Sequence, residues 1–271
     1  MDNIQIIDLT EPLKQVIIEP GHLFQARKRE VINSTREALA KRKTVIWIEG
    51  PLGCGKSTAC MDLAEELDLA CLLEDPEHPV IKRDLEMLYS PDHDTRSVGA
   101  WNVNNHYLGF RLTDYCSALR GSKSAVLDRH VVADDLYMLG FIEDRLLTEE
   151  QVLAIQVRRR ENLKLLEPNN PLTAPKKIII QFVGDSRTFY ERKNKRSRAS
   201  EKESSGGGVP HDYIKRLTDY YQDNPSLKKL LDIEGYSGPL ILVPQIIDEV
   251  NFEPSNNRHL VPLFEAIRDI L

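Results

Sequence analysis

Short apolar runs alternate with longer amphipathic segments along this chain, and turn residues or charges bound each run. Runs of continuous apolar character are typical of strands in a parallel sheet that is covered on both faces. The alternation with helical periodicity is typical of the crossover connections that join such strands. The pattern therefore predicts an α/β fold with a five-stranded parallel sheet flanked by helices. The predicted strands are Thr44–Glu49, 70–73, 124–127, 177–183 and 239–243.

Apolar positions at helical spacing predict helices between and beyond these strands. They cover Lys56–Leu67, 104–119, 132–141, 149–164, 213–222 and 260–271. We expect residues 1–43 to form a partly helical leader, with a helix over 23–42, and residues 44–271 to form one domain. Residues 191–208 break the pattern, since they are basic first and then rich in Ser and Gly. Such a composition is typical of a mobile loop.

Composition and charge argue against several classes of protein. The 271 residues are 41% hydrophobic and 29% charged, and the net charge is −6 with a pI near 5.7. This acidic balance argues against a nucleic-acid partner, which needs a basic face. The chain has no run of about 18 apolar residues that predicts a membrane span, and its four cysteines form no CxxC pair, which indicates reduced thiols. The first residues resemble neither a secretory signal nor a transit peptide, so the sequence predicts a cytoplasmic protein without a membrane partner.

A glycine-rich loop follows the first predicted strand and precedes a predicted helix. Its sequence, GPLGCGKST at positions 50–58, fits the G-x-x-x-x-G-K-[ST] motif at every fixed position. Glycines let backbone N–H groups turn inward around phosphate oxygens, and the following helix N-terminus adds its dipole. We therefore predict that the loop binds the phosphates of a nucleoside triphosphate and is not an ordinary turn, although the motif alone does not separate kinases from GTPases, ATPases or motors. The residues assigned to the phosphates are Gly50, Gly53, Cys54, Gly55, Lys56, Ser57 and Thr58.

A second group of candidates follows the third predicted strand, where Asp128 and Arg129 stand at its carboxyl end. Ligands bind at that edge in doubly wound sheets. We predict that Asp128 and Ser57 position Mg²⁺ and that Lys56 reaches the β- and γ-phosphates. Arg129 either neutralises a transferred phosphoryl group or binds the acceptor hydroxyl. The alternative is an ion pair at the surface. For His130, a local hydrogen bond is a more common role than catalysis.

Three arginines recur in the basic segment, at Arg192, Arg196 and Arg198. Guanidinium forks suit phosphoryl oxygens, so Arg192 and Arg196 are candidates for binding ATP, and Arg196 and Arg198 are candidates for catalysis. A solvated basic face is the alternative interpretation. The Ser- and Gly-rich continuation predicts a closing lid over about residues 191–209.

Together these motifs resemble the deoxynucleoside kinase family, whose viral branch includes the herpesvirus thymidine kinases. The resemblance covers roughly residues 44–250, with every motif in the family's order. It implies a P-loop NTPase fold and transfer of the γ-phosphoryl group of ATP to the 5′-hydroxyl of a deoxynucleoside, with Mg²⁺. The family has a glutamate directly before a proline as the base for that hydroxyl. Here Asp75 precedes Pro76 and Glu74 comes one residue earlier. Spacing favours Asp75 and residue type favours Glu74, so both stay candidates.

The resemblance also implies a set of side chains that bind the nucleoside. Arg111 falls where the family has its base-contacting arginine. Asn104 stands where the family has glutamine and can make the same amide contact with a shorter reach. Tyr107 and Trp101 are candidates for stacking on the base, although both are equally typical of core positions. The alternative for the whole segment is an ordinary amphipathic helix.

Two local resemblances disagree on the base. The D-R-H sequence at 128–130 is similar to the herpesvirus thymidine kinases. Asp134 stands where cellular members that accept deoxycytidine or purines carry an aspartate, and together with Arg111 it slightly favours that subgroup. In the lid, the three arginines and Glu201 fall at the family's spacing, which implies that Glu201 contacts the substrate. An unusual insertion through Gly208 follows.

Three other functions compete with the deoxynucleoside kinase hypothesis. A thymidylate-type nucleoside monophosphate kinase shares the fold, the loop and the D-R pair, but it needs an added positive site for the acceptor phosphate. A non-catalytic P-loop module needs no base, which the acids at 74–75 argue against. For a plain ATPase, VLDR is the nearest approach to the expected run of apolar residues and acids. Family members are often dimers, so the resemblance implies a homodimer. A viral source would place it in the host cytosol, and the sequence leaves a viral or a cellular source open.

Overall fold

The structure is a computed structural model. It describes residues 4–17, 19–167, 174–195, 211–222, 224–233, 236, 238–244 and 260–271. Arg196, Arg198 and Glu201 of the predicted lid lie outside the described residues, as does the Ser- and Gly-rich insertion.

Six parallel strands of the described chain form one sheet, in the order β1-β6-β5-β2-β4-β3. The strands are β1 (Ile6–Asp8), β2 (Thr44–Glu49), β3 (Ala70–Leu72), β4 (Ala125–Asp128), β5 (Lys176–Val183) and β6 (Leu240–Pro244). The predicted α/β fold with a parallel sheet is confirmed, and all five predicted strands are present. The predicted number of strands is one too low because β1 has only three residues, too few for a periodicity to show.

Helices cover both faces of this sheet. They are α1 (Thr10–Ile17), α2 (Gly21–Lys41), α3 (Lys56–Leu67), α4 (Pro79–Leu88), α5 (His93–Arg120), α6 (Asp134–Glu143), α7 (Glu149–Leu166), α8 (Ser186–Lys195), α9 (His211–Gln222), α10 (Asn224–Ile233) and α11 (Leu260–Ile270), with a 3-10 turn at Val131–Ala133. α5 begins well before residue 104, because the Asp92 carboxylate caps its start by accepting from the Thr95 N–H at 2.8 Å. Among the described helices, none combines the length and the apolar character needed to cross a bilayer.

Strand β2 shows how the core is divided between the two faces. Its side chains alternate, because successive residues of a strand point to opposite faces. Ile46 and Ile48 belong to a core with α2, α3 and α11. Val45 and Trp47 belong to a second core with α5, α6 and α7. Every residue of β2 is buried, and this two-sided cover explains why its sequence is continuously apolar.

The N-terminal segment contributes to the same sheet. β1 pairs with β6, with Ile6 opposite Leu240. α2 packs against α11, where Arg27 forms a bidentate pair with Glu265 through Nε–Oε1 and Nη2–Oε2 distances of 2.9 and 2.7 Å. The domain boundary at residue 43 stays a prediction.

The strand order reverses at β2, with β4 and β3 on one side and β5 and β6 on the other. In open parallel sheets, loops at such a reversal turn away from each other and leave a crevice beyond the carboxyl ends of the strands. The glycine-rich loop follows β2, and Asp128 and Arg129 end and follow β4. The fold therefore places both groups of candidate residues at this crevice.

Candidate active site

The loop between β2 and α3 has a backbone conformation that glycine adopts readily and other residues rarely do. Gly50, Gly53 and Gly55 have φ values of 146°, 89° and 96°. A Cβ at Gly53 would lie 2.2 Å from the carbonyl oxygen of Phe189 on α8, which leaves no room for a side chain. A Cβ at Gly55 would meet nothing within 4 Å, since this residue faces open space at the start of α3. The loop therefore presents the N-terminal N–H groups of α3 to that space, an arrangement that binds phosphate.

A cavity that opens to solvent begins at this loop. The loop residues that line it are Gly53, Gly55, Lys56 and Ser57. Gly50 and Cys54 are buried in the loop without lining the cavity, and Thr58 is exposed on α3. The groups presented to a ligand are thus backbone N–H groups together with one ammonium and one hydroxyl group.

The Lys56 ammonium is held across the loop. Its Nζ donates to the carbonyl oxygens of Gly50 and Pro51, at 2.9 Å each. Burial lowers the pKa of Lys56, and the positive charge of Arg129 lowers it further. Because both carbonyl partners are neutral, an anionic phosphate oxygen would bind this ammonium more strongly than they do.

Ser57 and Asp128 form a site with the chemistry that Mg²⁺ prefers. The Ser57 hydroxyl donates to Asp128 Oδ2 at 2.6 Å. The other carboxylate oxygen, Oδ1, is buried and has no hydrogen-bond partner among the described residues. Those residues contain no cluster of three or more His, Cys, Asp or Glu side chains that would hold a metal alone. Mg²⁺ is commonly bound by one or two carboxylates together with substrate phosphates, so the residues present fit this ion.

Arg129 has an unusual backbone conformation for a residue with a side chain. Its φ is 79°, and such a conformation costs on the order of 1 kcal/mol or more. Its N–H donates to the Ile48 carbonyl at 3.1 Å, which ties it to β2. The guanidinium is buried, lies 4.5 Å from the centre of the Tyr137 ring, and places Nε 3.4 Å from Glu74 Oε2. The strained backbone thus holds this cation inside the cavity.

Glu74 lines the cavity and Asp75 does not. The Glu74 carboxylate contacts Arg111 as well as Arg129. Burial raises the pKa of Glu74, although the two arginines oppose this effect. Asp75 is exposed, and its Oδ1 accepts from the Glu77 N–H at 3.0 Å in a local turn. Of the two candidate bases, the structure therefore brings only Glu74 to the site.

Arg111 lies at the other end of the cavity, on α5. Its guanidinium contacts the carboxylates of both Glu74 and Asp134. Burial lowers the pKa of Arg111, but these carboxylates outweigh burial and raise it above its usual range. The Tyr107 ring centre is 5.0 Å from the guanidinium carbon, within the range of a cation–π contact. Of the two aromatic candidates, Tyr107 lines the cavity and Trp101 does not.

Two acceptor atoms at this end remain for a ligand. Asp134 Oδ2 is buried and has no hydrogen-bond partner within the part of the chain that the structure describes. Asn104 lines the cavity, and its Nδ2 donates one hydrogen bond to the Ala100 carbonyl at 2.7 Å, so its Oδ1 and its second N–H are left for a ligand. The structure therefore brings together Asn104, Arg111 and Asp134, as predicted for a nucleoside site.

His130 has a local role. Its Nδ1 accepts from the Val132 N–H at 3.2 Å and caps the 3-10 turn. Its ring stands edge-on to Trp47, with centroids 4.7 Å apart. Burial lowers the pKa of His130 to about 3, so the ring is neutral at neutral pH. The expectation of a local hydrogen bond agrees with this geometry.

Glu49, at the end of β2, is a buried acid that the sequence analysis did not select. It is 0% exposed and directly precedes the glycine-rich loop. One carboxylate oxygen accepts from the His130 N–H and the other from the Tyr221 hydroxyl at 3.1 Å. Burial raises the pKa of Glu49 to about 7, against the lowering effect of Arg129. The only signal in the sequence is that an otherwise apolar strand, TVIWIE, ends on an acid.

The helix that leads into the predicted lid packs directly on the phosphate loop. This is α8, whose Phe189 is fully buried and whose backbone touches Gly53. Arg192 is half-buried on the same helix. Arg196, Arg198 and Glu201 follow outside the described residues, so their predicted contacts stay predictions.

A model of the deoxynucleoside kinase family matches residues 46–261, which is more than half of the chain. The chain belongs to the deoxynucleoside kinase family. Membership confirms the predicted enzyme class, an ATP-dependent kinase that phosphorylates deoxynucleosides. The family match favours this activity over the thymidylate-type, non-catalytic and plain ATPase alternatives. The role of each residue, the bound Mg²⁺, the preferred base and the homodimer stay predictions.

Solved structures of other deoxynucleoside kinases have the same fold. Deoxyadenosine kinase from M. mycoides with bound dCTP superposes with a TM-score of 0.57 at 17% identity, covering 82% of this chain and 100% of that one. The complex of the same enzyme with dATP superposes with a TM-score of 0.58 at 17% identity, covering 82% of this chain and 99% of that one. The complex with dCMP and a flexible dCDP gives 0.57 at 17% identity over 84% and 100%. At this identity the likeness shows the fold alone. Among curated protein sequences, none matches this chain significantly.

Proposed function

We propose that this deoxynucleoside kinase transfers the γ-phosphoryl group of ATP to the 5′-hydroxyl of deoxycytidine or deoxyadenosine. The observation that carries the proposal is a single cavity with a phosphate loop at one end and the Arg111–Asp134 pair at the other. Glu74 and Arg129 lie between these ends and contact each other. A nucleoside placed with its base at Arg111 would direct its 5′-hydroxyl toward the phosphate loop.

The donor end binds and orients the triphosphate. The N–H groups at the start of α3 and the Lys56 ammonium bind the phosphate oxygens. The Ser57 hydroxyl and Asp128 Oδ1 would hold Mg²⁺. When bound, Mg²⁺ would supply positive charge that offsets the negative charge of the phosphates. Gly53 keeps the loop in contact with α8, so the donor phosphates lie beside the helix that carries Arg192.

Glu74 is the proposed general base. Its carboxylate accepts the proton of the 5′-hydroxyl while the oxygen attacks the γ-phosphorus and the bond to the β-phosphate oxygen of ADP breaks. Burial raises the pKa of this carboxylate, which increases its affinity for the proton. The Arg129 guanidinium, fixed by its strained backbone, stabilises charge on the transferred group.

The base preference follows from the atoms that Asp134 and Asn104 present. Asp134 Oδ2 is a buried acceptor and needs a donor on the base, and Asn104 Oδ1 can accept from the same base. The exocyclic amino groups of cytosine and adenine are donors, whereas thymine has a carbonyl oxygen at that position. The structural neighbours are deoxyadenosine kinases with bound dATP, dCTP or dCMP, which supports the same choice here. Arg111 would donate to a ring nitrogen or carbonyl of the same base.

A steady-state assay with ATP, Mg²⁺ and each of the four deoxynucleosides tests this proposal. We expect kcat/KM for deoxycytidine or deoxyadenosine to exceed that for thymidine by at least about tenfold, because a mispaired buried acceptor is costly. A folded sample that forms no 5′-monophosphate from any of the four deoxynucleosides would contradict the proposed kinase activity. A preference for thymidine would contradict only the assignment of Asp134 and Asn104. Thymidine monophosphate serves as a control acceptor, and we expect no diphosphate from it.

The lid and the homodimer complete the proposal. Arg192 and Arg196 would bind ATP phosphates, Arg198 would stabilise the transferred group, and Glu201 would contact the nucleoside. For Arg196, Arg198 and Glu201 the support is the motif spacing and the family membership. Size-exclusion chromatography with light scattering would test the homodimer.

A further inference from the structure

Two adjacent acids at the start of α6 face different parts of the molecule. Asp134 contacts Arg111 and lines the nucleoside cavity. Asp135 contacts Arg159 on α7, behind the cavity wall. Successive residues of a helix differ in direction by about 100°. Both carboxylates therefore belong to the first turn of α6. Because the two residues are adjacent in that turn, a movement of Asp135 also moves Asp134.

The contact between Asp135 and Arg159 fixes an orientation as well as a distance. Nη1 donates to Oδ1 at 2.6 Å and Nη2 to Oδ2 at 3.0 Å, a bidentate geometry that sets the plane of the carboxylate. Gln156 adds a hydrogen bond to Oδ2 at 3.1 Å. Nη1 also lies 3.4 Å from the Val131 carbonyl in the 3-10 turn. α7 thus fixes the 3-10 turn and the first turn of α6 together.

The local sequence gives the first turn of α6 little support of its own. The N-cap position is Ala133, whose side chain has no group that accepts a hydrogen bond from the helix. His130 caps the 3-10 turn before it, and not α6 itself. The position of Asp134 therefore depends on tertiary contacts, of which the Arg159 pair is the most completely buried.

Stability alone does not explain this ion pair. Arg159 is 0% exposed and Asp135 is 4% exposed. The free-energy cost of removing two charges from water offsets much of the attraction between them. Well-packed apolar residues can therefore often replace such a pair with little loss of stability. What an apolar pair does not supply is the fixed direction of two parallel hydrogen bonds.

We propose that Arg159 is a positioning residue for the nucleoside site, and that it acts through Asp135 to set where Asp134 stands in the cavity. The proposal rests on the proposed role of Asp134 in binding the base. Arg159 itself does not line the cavity. Its loss would change which base is accepted, and it would leave ATP binding at the other end of the cavity unchanged.

The test measures kcat and KM for deoxycytidine, thymidine and ATP in variants of Arg159. The main variant is Asp135→Leu with Arg159→Met, which replaces the buried pair by apolar side chains. We expect it to fold, to raise KM for deoxycytidine about tenfold, and to reduce the deoxycytidine-to-thymidine ratio of kcat/KM by a similar factor. KM for ATP should stay unchanged. Arg159→Lys keeps the charge but loses the bidentate fork, so its ratio should fall between those of the wild type and the double variant.

A matched control is Arg27→Met, which removes the bidentate pair with Glu265 on the far side of the sheet. We expect it to leave the acceptor ratio unchanged. A folded double variant with the wild-type ratio would overturn the proposal, as would an equal loss for both nucleosides and for ATP. If the double variant does not fold, Arg159→Lys carries the test, and an unchanged ratio in it overturns the proposal.

Failure of the proposed function would give a different result. A wild-type protein that phosphorylates no deoxynucleoside would contradict that function directly. A wild-type preference for thymidine would contradict only the proposed base, because a changed ratio in the Arg159 variants would still support positioning.

Discussion

The phosphate end and the nucleoside end of the cavity are built in different ways. At the phosphate end, consecutive residues form the site, and the positive φ angles of Gly50, Gly53 and Gly55 determine its shape. At the nucleoside end, Arg111 and Asp134 come from α5 and α6, and Glu74, which lies between the two ends, comes from the loop before α4. Ion pairs between them hold these side chains in place. The phosphate end is thus determined locally and serves any acceptor, whereas the nucleoside end depends on packing and selects among acceptors.

The largest effect should come from the phosphate end. Lys56→Ala removes the ammonium that binds the phosphates, and we expect kcat to fall by at least about a thousandfold for every acceptor. Circular dichroism and thermal unfolding should show an intact fold. Lys123→Ala removes an exposed lysine that pairs with Asp68 and is the matched control, with wild-type kinetics expected. If kcat of Lys56→Ala fell by different factors for different acceptors, the phosphate end would also select among acceptors, contrary to the distinction between the two ends.

A smaller effect should come from the residue between the ends. Glu74→Gln removes the proposed base, and we expect kcat to fall by about a hundredfold. The wild-type rate should rise with pH through a pKa above the ordinary value for glutamate, because burial raises it, and the variant should lack this step. Asp75→Asn is the matched control, since Asp75 is exposed and lies in a turn. If Asp75→Asn lost as much activity as Glu74→Gln, the assignment of the base to Glu74 would be contradicted.

At the nucleoside end, the change should be one of selectivity. Asp134→Asn turns an acceptor-only side chain into one that also donates, which suits the thymine carbonyl. We expect the deoxycytidine-to-thymidine ratio of kcat/KM to fall by about tenfold, while KM for ATP stays unchanged. Equal losses for both nucleosides would mean that Asp134 supports the fold and does not read the base.

The smallest effect on activity, and the clearest on stability, should come from Glu49→Gln. Because burial raises the pKa of Glu49 from 4.5 to about 7, the folded state binds this proton more tightly than the unfolded state does. Protonated Glu49 therefore stabilises the wild-type fold fully below about pH 4.5, and this stabilisation is lost as pH rises through about 7. The free energy of unfolding should fall by up to about 3 kcal/mol from this group. The glutamine variant lacks this loss. Unfolding temperatures measured from pH 5 to 8 should diverge, with the variant the more stable at high pH.

If the unfolding temperatures of the wild type and of Glu49→Gln changed in parallel from pH 5 to 8, the raised pKa of Glu49 would be contradicted. Glutamine can keep both hydrogen bonds of Glu49, by accepting from the His130 N–H and donating to the Tyr221 hydroxyl oxygen. The comparison therefore isolates the charge. Glu49 also depends on a distant residue, since Tyr221 lies on α9.

What the sequence predicts well is what short-range physics determines. The glycine-rich loop is recognisable because its backbone conformation needs glycine at fixed spacing. The strands β2 and β5 are recognisable because cover on both faces requires continuous apolar residues. Arg111 and Asp134 were assigned to the base through the family resemblance, and the structure brings them together.

What the sequence did not predict depends on contacts between distant segments. Spacing favours Asp75 and residue type favours Glu74, and neither decides between them, because the direction of each side chain depends on the turn that Asp75 forms with Glu77. Asp135 and Arg159 lie on separate helices, and an Arg on an amphipathic helix usually predicts a solvent-facing position. Helix α4 was missed because it is short and begins at Pro79, just after the turn at residues 76–77, although proline is favourable in a first helical turn.

The pairing of β1 with β6 has a consequence for synthesis and folding. These strands pair residues far apart in sequence, such as Ile6 and Leu240, and α2 and α11 pack together across a similar distance in sequence. During translation, the edge strand β1 must wait until β6 has emerged before it finds its partner. Contacts so far apart in sequence slow folding, because the loop between them must be closed first. The last step of folding is therefore expected to be the closure of this edge, and a nascent chain stalled before β6 would expose β1 and the edge of β5 to pairing with other chains.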